Sequence, residues 1–324
     1  MDANPFYVAK QSGLFSRVVE ANIQIQPLIH QPTPEGVSDL CFHYSEKYNI
    51  DLSYVDLNGR ILSGDNIAHF FSYLQTHASL LAVQEGRSKG LILGHGQHHV
   101  IPLLIHNRAG TLHMVSFDSN SGARIKGYFR IADLFPEARF YLNAGTRQAD
   151  EGSCMTDALC ILKEALQLPD LIALLEAKNI IHHEAFQQNP TSIFRVPKAP
   201  NFSLFRMPEQ LLFTAQVSAY LEEAGADLSV ALRGGRTLGE YREHFVIHVS
   251  LLKNGTPIAS NVNSYLYFKG IEHKRILDQS WRQRQDLEAI ELDGFEARSS
   301  TTEHEFISVD SQNHSIMQSL SVSR

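Results

Sequence analysis

Short apolar runs separated by polar turns alternate with stretches of helical spacing along the first half of the chain. Pro34-Glu35 opens a segment reaching about Tyr48, in which Val37, Leu40, Cys41 and Tyr44 recur on one helical face. Asp51 to Leu57 alternates as a strand does, and Asn58-Gly59 supplies a turn. Asn66 to Gln84 predicts a helix with Ile67, Phe70, Phe71, Leu74 and Leu81 inward. Gly90 to Leu93 is a short strand. Val100 to Ile105 and Leu112 to Phe117 flank the polar, Gly-ended turn His106 to Gly110 and predict neighbouring antiparallel strands. Gly127 to Phe135 is a short helix or irregular piece, and Arg139 to Leu142 a strand that delivers Gln148 on a loop. Met155, Ala158, Leu159, Leu162 and Leu166 then mark a helix that Leu168-Pro169 stops, and Asp170 caps another to about Lys178.

The remaining segments are more polar. Residues 1–34 combine an amphipathic piece, Gly13 to Ile25, with Pro27, Pro32 and Pro34, as an arm and linker would. Residues 186–209, rich in Pro, Asn and Gln, are expected on the surface, and Pro208 to Ala224 to form a helix. Arg233-Gly234-Gly235-Arg236 lacks the Walker pattern and is a connector. Phe245 to Leu252, Asn254-Gly255 and Thr256 to Ser260 predict a β-hairpin, followed by a long polar helix from Ser264 to Leu287. After Gly294 the chain is Ser/Thr-rich and expected to be disordered. The pattern predicts an α+β fold: a central mixed sheet flanked by helices.

With 324 residues, 43% of them apolar and 19% charged, the chain can bury a sizeable core. A formal net charge of −7 argues against a general nucleic-acid surface, so any anion site must be a local basic cluster. Three cysteines give no disulfide framework and point to a reducing compartment. No run approaches the ~18 apolar residues of a membrane span. Met1 to Pro5 carries neither the basic nor the apolar region of a secretory signal.

Four residue types in chain order change the picture: His99, Asp118, Gln148 and Cys154. The predicted hairpin brings His99, at the start of one strand, and Asp118, at the end of the next, to one sheet edge. Cys154 opens a helix, where the macrodipole favours a thiolate. An imidazole stabilises such a thiolate, a carboxylate steadies the imidazole, and an amide donor can stabilise an oxyanion. Cys41 and Cys160 fall on apolar faces and read as core.

The order His, acid, Gln, Cys, with Gln148 six positions before Cys154, is similar to the clan of ubiquitin-like-protein cysteine proteases. Within that clan the chain resembles the YopJ/AvrRxv family of bacterial effector acetyltransferases. Gly94, Gly96 and His99 match the family's Gly-x-Gly-x-x-His approach, and 19 positions separate His99 from Asp118. Tyr44 to Leu52, Lys253 to Ile258 and His273 to Ile276 resemble further family segments, so the likeness spans residues 35–280 in patches. The chain departs in having Asp118 for the usual Glu, Ser153 for the acid before the cysteine, and Met155 for the Gly after it.

The resemblance implies a papain-like or ubiquitin-like-protease-type sheet with an added α/β regulatory lobe. It divides the chain into an arm (1–34), a catalytic cysteine core (35–184), a cofactor-binding lobe (185–293) and a tail (294–324). It implies acetyl transfer from acetyl-coenzyme A through a Cys154 thioester to Ser, Thr or Lys of a host protein, in a host cell reached by a bacterial secretion system. It also implies the activator inositol hexakisphosphate and no metal. Lys269, His273, Lys274 and Arg275 are the cluster that could hold these phosphates. Two alternatives stay open: a cysteine isopeptidase acting on ubiquitin or a ubiquitin-like protein with the same residues, and a host-protein binder whose site has decayed.

Overall fold

The structure is a computed structural model. It describes residues 7–11, 28–57, 67–95, 99–119, 134–145, 147–148, 153–181, 201–216, 220–222, 225–232, 234–253 and 256–287. Within these, the side chains of 7–11, 28–30, 67–71, 95, 99, 247–253 and 256–262 are left out of the description. Gly13 to Ile25, Asn58-Gly59, Gly96, His98, most of Gly127 to Phe135, and the tail after Gly294 lie outside the described residues. The chain divides into two compact units, Met1–Arg275 and Ile276–Arg324. The second is described only over 276–287, where it is helical.

Seven strands form the central sheet of the first unit. They are β3 (Leu52–Asp56), β4 (Ser88–His95), β5 (His99–Arg108), β6 (Thr111–Ser116), β7 (Arg139–Asn143), β8 (Ile180–Ile181) and β9 (Phe202–Phe205), in spatial order β3-β4-β5-β6-β7-β9-β8. Pairings β3/β4, β6/β7 and β7/β9 are parallel; β4/β5, β5/β6 and β8/β9 are antiparallel. The β5–β6 turn closes at Ala109 and Gly110, both at positive φ, 52° and 76°. Glu85 accepts their two backbone N–H groups. A separate ribbon pairs β1 (Tyr7–Gln11) with β2 (Leu28–Pro32), and a hairpin pairs β10 (Val246–Lys253) with β11 (Thr256–Asn263).

Helices cover both faces. On one, Leu74 and Leu81 join Leu91, Leu93, Ile101, Leu103, Met114, Phe140 and Leu142 in a single apolar cluster. Leu74 belongs to α2 (Ile67–Thr76), and Leu81 to the 3-10 turn Ala78–Leu81 that follows it. On the other face lie α1 (Pro34–Tyr48) and α3 (Cys154–Ala165). Thr33 and Pro34 start α1, and Asn49, left-handed at φ 52°, ends it. Every residue of α3 except Glu164 is buried, because the sheet, α1, β2 and the turn Glu209–Thr214 pack around it.

The elements predicted from sequence are found at α1, β3 to β7, α3 and the β10/β11 hairpin, with β4, β5 and β11 longer than expected. Four expectations change. The N-terminal arm supplies a β-ribbon, whose β2 packs on α1 and α3. The helix expected to reach Gln84 breaks at His77 (φ −117°, ψ 59°), where Thr76 Oγ1 donates to the Tyr73 carbonyl at 2.9 Å. The surface segment 186–209 contributes β9, with Phe202, Leu204 and Phe205 buried in the sheet. The helix expected from Pro208 is a 3-10 turn, Glu209–Thr214. It cannot continue because Ala215 is extended and the Gln216 N–H goes to the Arg147 carbonyl instead, at 2.9 Å. One further helix, α5 (Leu238–Phe245), was not expected; it begins with a capping box between Thr237 and Glu240. The capped helix after Asp170 is α4 (Leu171–Leu174), prolonged by a π-turn, Leu175–Asn179.

Two glycines of β4 fix the depth of this packing. At Gly90 a Cβ would stand 3.6 and 3.0 Å from the Cδ1 atoms of Leu162 and Leu166, so the end of α3 rests on the strand backbone. At Gly94 a Cβ would meet the Tyr54 hydroxyl and stand 2.5 Å from Cε2 of that ring. Gly94→Ala is expected to destabilise the chain by about 1–3 kcal/mol through overpacking. Urea denaturation should show the loss, and Tyr54→Ala in the same chain should shrink it.

Candidate active site

Backbone register brings two of the sequence-predicted residues, His99 and Asp118, to one edge of the sheet. His99 is the first residue of β5 and pairs with His95 at the end of β4. Leu103 pairs with Ser116, and the Phe117 N–H still reaches the Pro102 carbonyl at 2.9 Å. Continuing that register sets Asp118 beside Ile101, two residues along the strand from His99. The His99 side chain is outside the described atoms. Asp118 is fully buried, and its carbonyl accepts from the Asn143 amide at 3.4 Å. Tyr220 in turn donates to Asn143 Oδ1 at 2.7 Å, so the end of β7 braces the end of β6.

The helix that opens at Cys154 runs toward this edge. Its C-terminal leucines cover Gly90, near the start of β4. Cys154 lies eight residues before Leu162, about 12 Å of helix. Gly94 lies four residues of strand beyond Gly90, about 13 Å. The direction is fixed by Arg147. Its Nη1 and Nη2 donate to the two carboxylate oxygens of Asp157, in the first turn of α3, at 2.5 and 2.6 Å. Nη2 also donates to the Phe117 carbonyl at 2.7 Å, and Nη1 to Thr214 Oγ1 at 2.9 Å. One guanidinium thus holds the first turn of the cysteine helix against the residue preceding Asp118. Both partners are buried, with side-chain exposures of 1% and 2%.

This pair escaped the sequence reading. Its one signal was a carboxylate, Asp157, near the start of a largely apolar helix. The pair also bears on electrostatics. An unpaired carboxylate one turn from Cys154 would disfavour a thiolate there by like-charge repulsion, and the Arg147 cation offsets it.

Gln148 follows Arg147 directly. Its Oε1 accepts from Ser119 Oγ at 2.5 Å, and the Arg147 N–H donates to the Ser119 carbonyl at 3.2 Å. The loops after β6 and β7 are therefore tied together beside α3. Ser153 sits at the N-cap of α3 without capping it through its side chain. Its hydroxyl oxygen accepts from Gln216 Nε2 at 3.0 Å. Met155 is fully buried, so a side chain is accommodated after the cysteine. Cys160 is core, its thiol pushed up to about 11 by burial, and Cys41 is buried and raised for the same reason.

The four residues read as a basic cluster differ in environment. Lys269 pairs with Glu272 at 2.5 Å. Lys274 is half-buried and Arg275 exposed. His273 points inward: it is 1% exposed, and its Nε2 lies 2.8 Å from the Tyr44 hydroxyl. Burial first, then Lys269, Lys163 and His43, lower its pKa to about 3, so its ring is neutral in the ordinary pH range. The cations of the set are Lys269, Lys274 and Arg275. Among the described residues no group of three or more His, Cys, Asp or Glu could hold a metal ion, and no helix is long and apolar enough to cross a membrane.

Two outcomes follow for stability. Arg147→Ala leaves Asp157 buried and unpaired and is expected to cost about 3–5 kcal/mol in urea denaturation, whereas Arg147→Met with Asp157→Leu should recover part of that loss. His273 binds a proton when unfolded below about 6.5 but not when folded until about 3. Its contribution is therefore complete above 6.5 and lost on acidification, by up to about 1.4 kcal/mol per pH unit. His273→Asn should flatten the fall in stability between pH 7 and pH 5.

The sequence matches no protein-family profile and no curated protein. Solved structures do resemble it. HopZ1a in complex with IP6 and CoA is 11% identical, with a TM-score of 0.52 over 76% of this chain and 85% of that one. A deletion variant of AvrA with IP6 and CoA is 14% identical, with a TM-score of 0.49 over 75% of this chain and 87% of that one. Over most of both chains the fold, a mixed sheet flanked by helices, is similar to that of HopZ1a.

Proposed function

We propose that this chain is an effector acetyltransferase that moves an acetyl group from acetyl-coenzyme A through Cys154 to a Ser, Thr or Lys side chain of a host protein. The observation that carries the reading is the meeting of Phe117 and Ser119, which flank Asp118, with the first turn of α3 around Arg147, next to Gln148 and at the edge where His99 begins β5. HopZ1a, whose fold the chain shares, was solved with IP6 and CoA.

In this mechanism His99 takes the proton of Cys154, and Asp118 steadies the resulting imidazolium. The thiolate attacks the acetyl carbonyl, and Gln148 with backbone N–H groups stabilises the oxyanion. The carbon–sulfur bond to coenzyme A breaks, its sulfur takes the proton from His99, and acetyl-Cys154 remains. The acceptor hydroxyl or amine then gives its proton to His99 and attacks the acetyl-cysteine, and the Cys154 thiolate leaves. Asp118 offers the same charge as the family's Glu on a shorter side chain, which the buried end of β6 accommodates without changing the chemistry.

Inositol hexakisphosphate is the proposed activator. Lys269, Lys274 and Arg275, with His273 behind them, are the residues proposed to hold phosphate on a chain of net charge −7. The donor set fits: three cations lie within two turns of one helix, and Arg275 is exposed. Bound there, the polyphosphate would supply negative charge that orders the cations. The proposed place of action is a host cell, after export from a bacterium.

The test is incubation of the full chain with radiolabelled acetyl-coenzyme A and host-cell proteins, with and without inositol hexakisphosphate. Label is expected on the enzyme and on an acceptor, rising with the polyphosphate and absent from Cys154→Ala. No label in the wild-type chain would contradict the reading. If Cys154 instead reacts with a ubiquitin C-terminal electrophile, the activity is isopeptide cleavage at the same residues.

A further inference from the structure

The segment after the 3-10 turn carries a residue that reaches the candidate site from the second half of the chain. Gln216 is 5% exposed, and its backbone N–H, its backbone carbonyl and its side-chain Nε2 are each engaged. Its backbone N–H donates to the Arg147 carbonyl at 2.9 Å. Its side-chain Nε2 donates to Ser153 Oγ at 3.0 Å. Its carbonyl accepts from the N–H of Asn263, the last residue of β11, at 3.3 Å. Asn263 holds the same segment again, donating from Nδ2 to the carbonyls of Phe213 at 2.8 Å and Ala215 at 3.3 Å.

The two partners of Gln216 flank the reacting groups. Arg147 immediately precedes Gln148, and Ser153 immediately precedes Cys154. One residue therefore clips together the two ends of the loop that must present an oxyanion donor and a nucleophile at a fixed separation. The position of Ser153 sharpens the point. A serine at a helix N-cap ordinarily turns its oxygen to the N–H groups of the first turn. Here that oxygen makes no side-chain cap and accepts from Gln216 instead. The hydroxyl–amide contact also keeps formal negative charge away from the residue next to the thiol.

We infer that Gln216 is a positioning residue for Cys154 and Gln148, acting through Ser153 Oγ and the Arg147 carbonyl. The inference rests on the reading of Cys154 as the nucleophile. It adds a function for Ser153, the position where the chain departs from the family's acid. It also gives residues 209–263 a direct part in building the site.

The experiment uses the full chain with Gln216→Met, which keeps the side chain's length without its donor, Ser153→Ala, which removes only the acceptor, and the two together. Each is followed by thermal denaturation, by steady-state acetyl transfer, and by the pH profile of iodoacetamide alkylation at Cys154 read by mass spectrometry. Each single variant is expected to lower kcat tenfold or more with KM within twofold. Each should slow alkylation at least threefold at pH 6.5 while leaving the rate at pH 9 unchanged. The double variant should be no worse than either single one, because both delete the same hydrogen bond. A group that only supports the fold would lower the melting temperature and leave the alkylation profile in place.

Transfer and alkylation within twofold of wild type in both single variants would overturn the inference. If Gln216→Met does not fold, Ser153→Ala decides by the same criteria. If the wild-type chain transfers no acetyl group, the function fails and the alkylation profile alone decides: a profile that moves supports the positioning role, and one that does not rejects it.

Discussion

The structure depends on a charge that has to be buried and cannot be left alone. Arg147 lies inside the protein with its guanidinium divided between the Asp157 carboxylate, the Phe117 carbonyl and the Thr214 hydroxyl. Taking an arginine and an aspartate out of water is costly unless their hydrogen bonds are made within the fold. That requirement selects one arrangement of four segments: the end of β6, the loop after β7, the first turn of α3, and the 3-10 turn Glu209–Thr214. Any displacement of α3 along the sheet leaves a charge or a carbonyl without its partner. The pair adds specificity of position to a packing that hydrophobic burial alone would leave free to slide.

The remaining architecture follows that constraint outward. A helix buried on nearly all sides needs surroundings from distant parts of the chain, and β2, α1 and residues 209–214 provide them. Gly90 lets the far end of α3 settle on β4, and Gly94 lets Tyr54 lie over the near end. The second half of the chain is not an appendage to this core. Its strand β9 joins the central sheet, and Asn263 anchors the segment that touches Arg147 and Ser153. Hydrogen bonds thus link residues 209–263 to Arg147 and Ser153, the neighbours of Gln148 and Cys154.

Local pattern was enough for much of this and insufficient for the rest. Val37, Leu40, Cys41 and Tyr44 mark α1 because a single buried face repeats at helical spacing. The β5/β6 hairpin is legible because two apolar runs flank a short turn. That hairpin carries His99 and leads into Asp118, and the helical spacing from Met155 marks α3, which opens at Cys154, so the candidate site could be named from residue types and order. Arg147 and Gln216 could not, since their roles exist only where segments up to about seventy residues apart in sequence meet. The strand at Phe202–Phe205 hid among Pro, Asn and Gln neighbours because four residues give too short an alternation. His273 resembled its basic neighbours in sequence. Its inward direction is set by Tyr44, 229 positions earlier, which no local pattern records.

The central claim is that a thiolate at Cys154 forms beside the imidazole of His99, on a helix that Arg147 and Asp157 hold at the sheet edge. Acid-quenched mass spectrometry of the full chain after brief exposure to acetyl-coenzyme A tests it most directly. The account predicts one acetyl group on Cys154 in the wild-type chain and none in a folded His99→Ala variant. Acetylation of Cys154 to the same extent in both chains, or of neither, would contradict it.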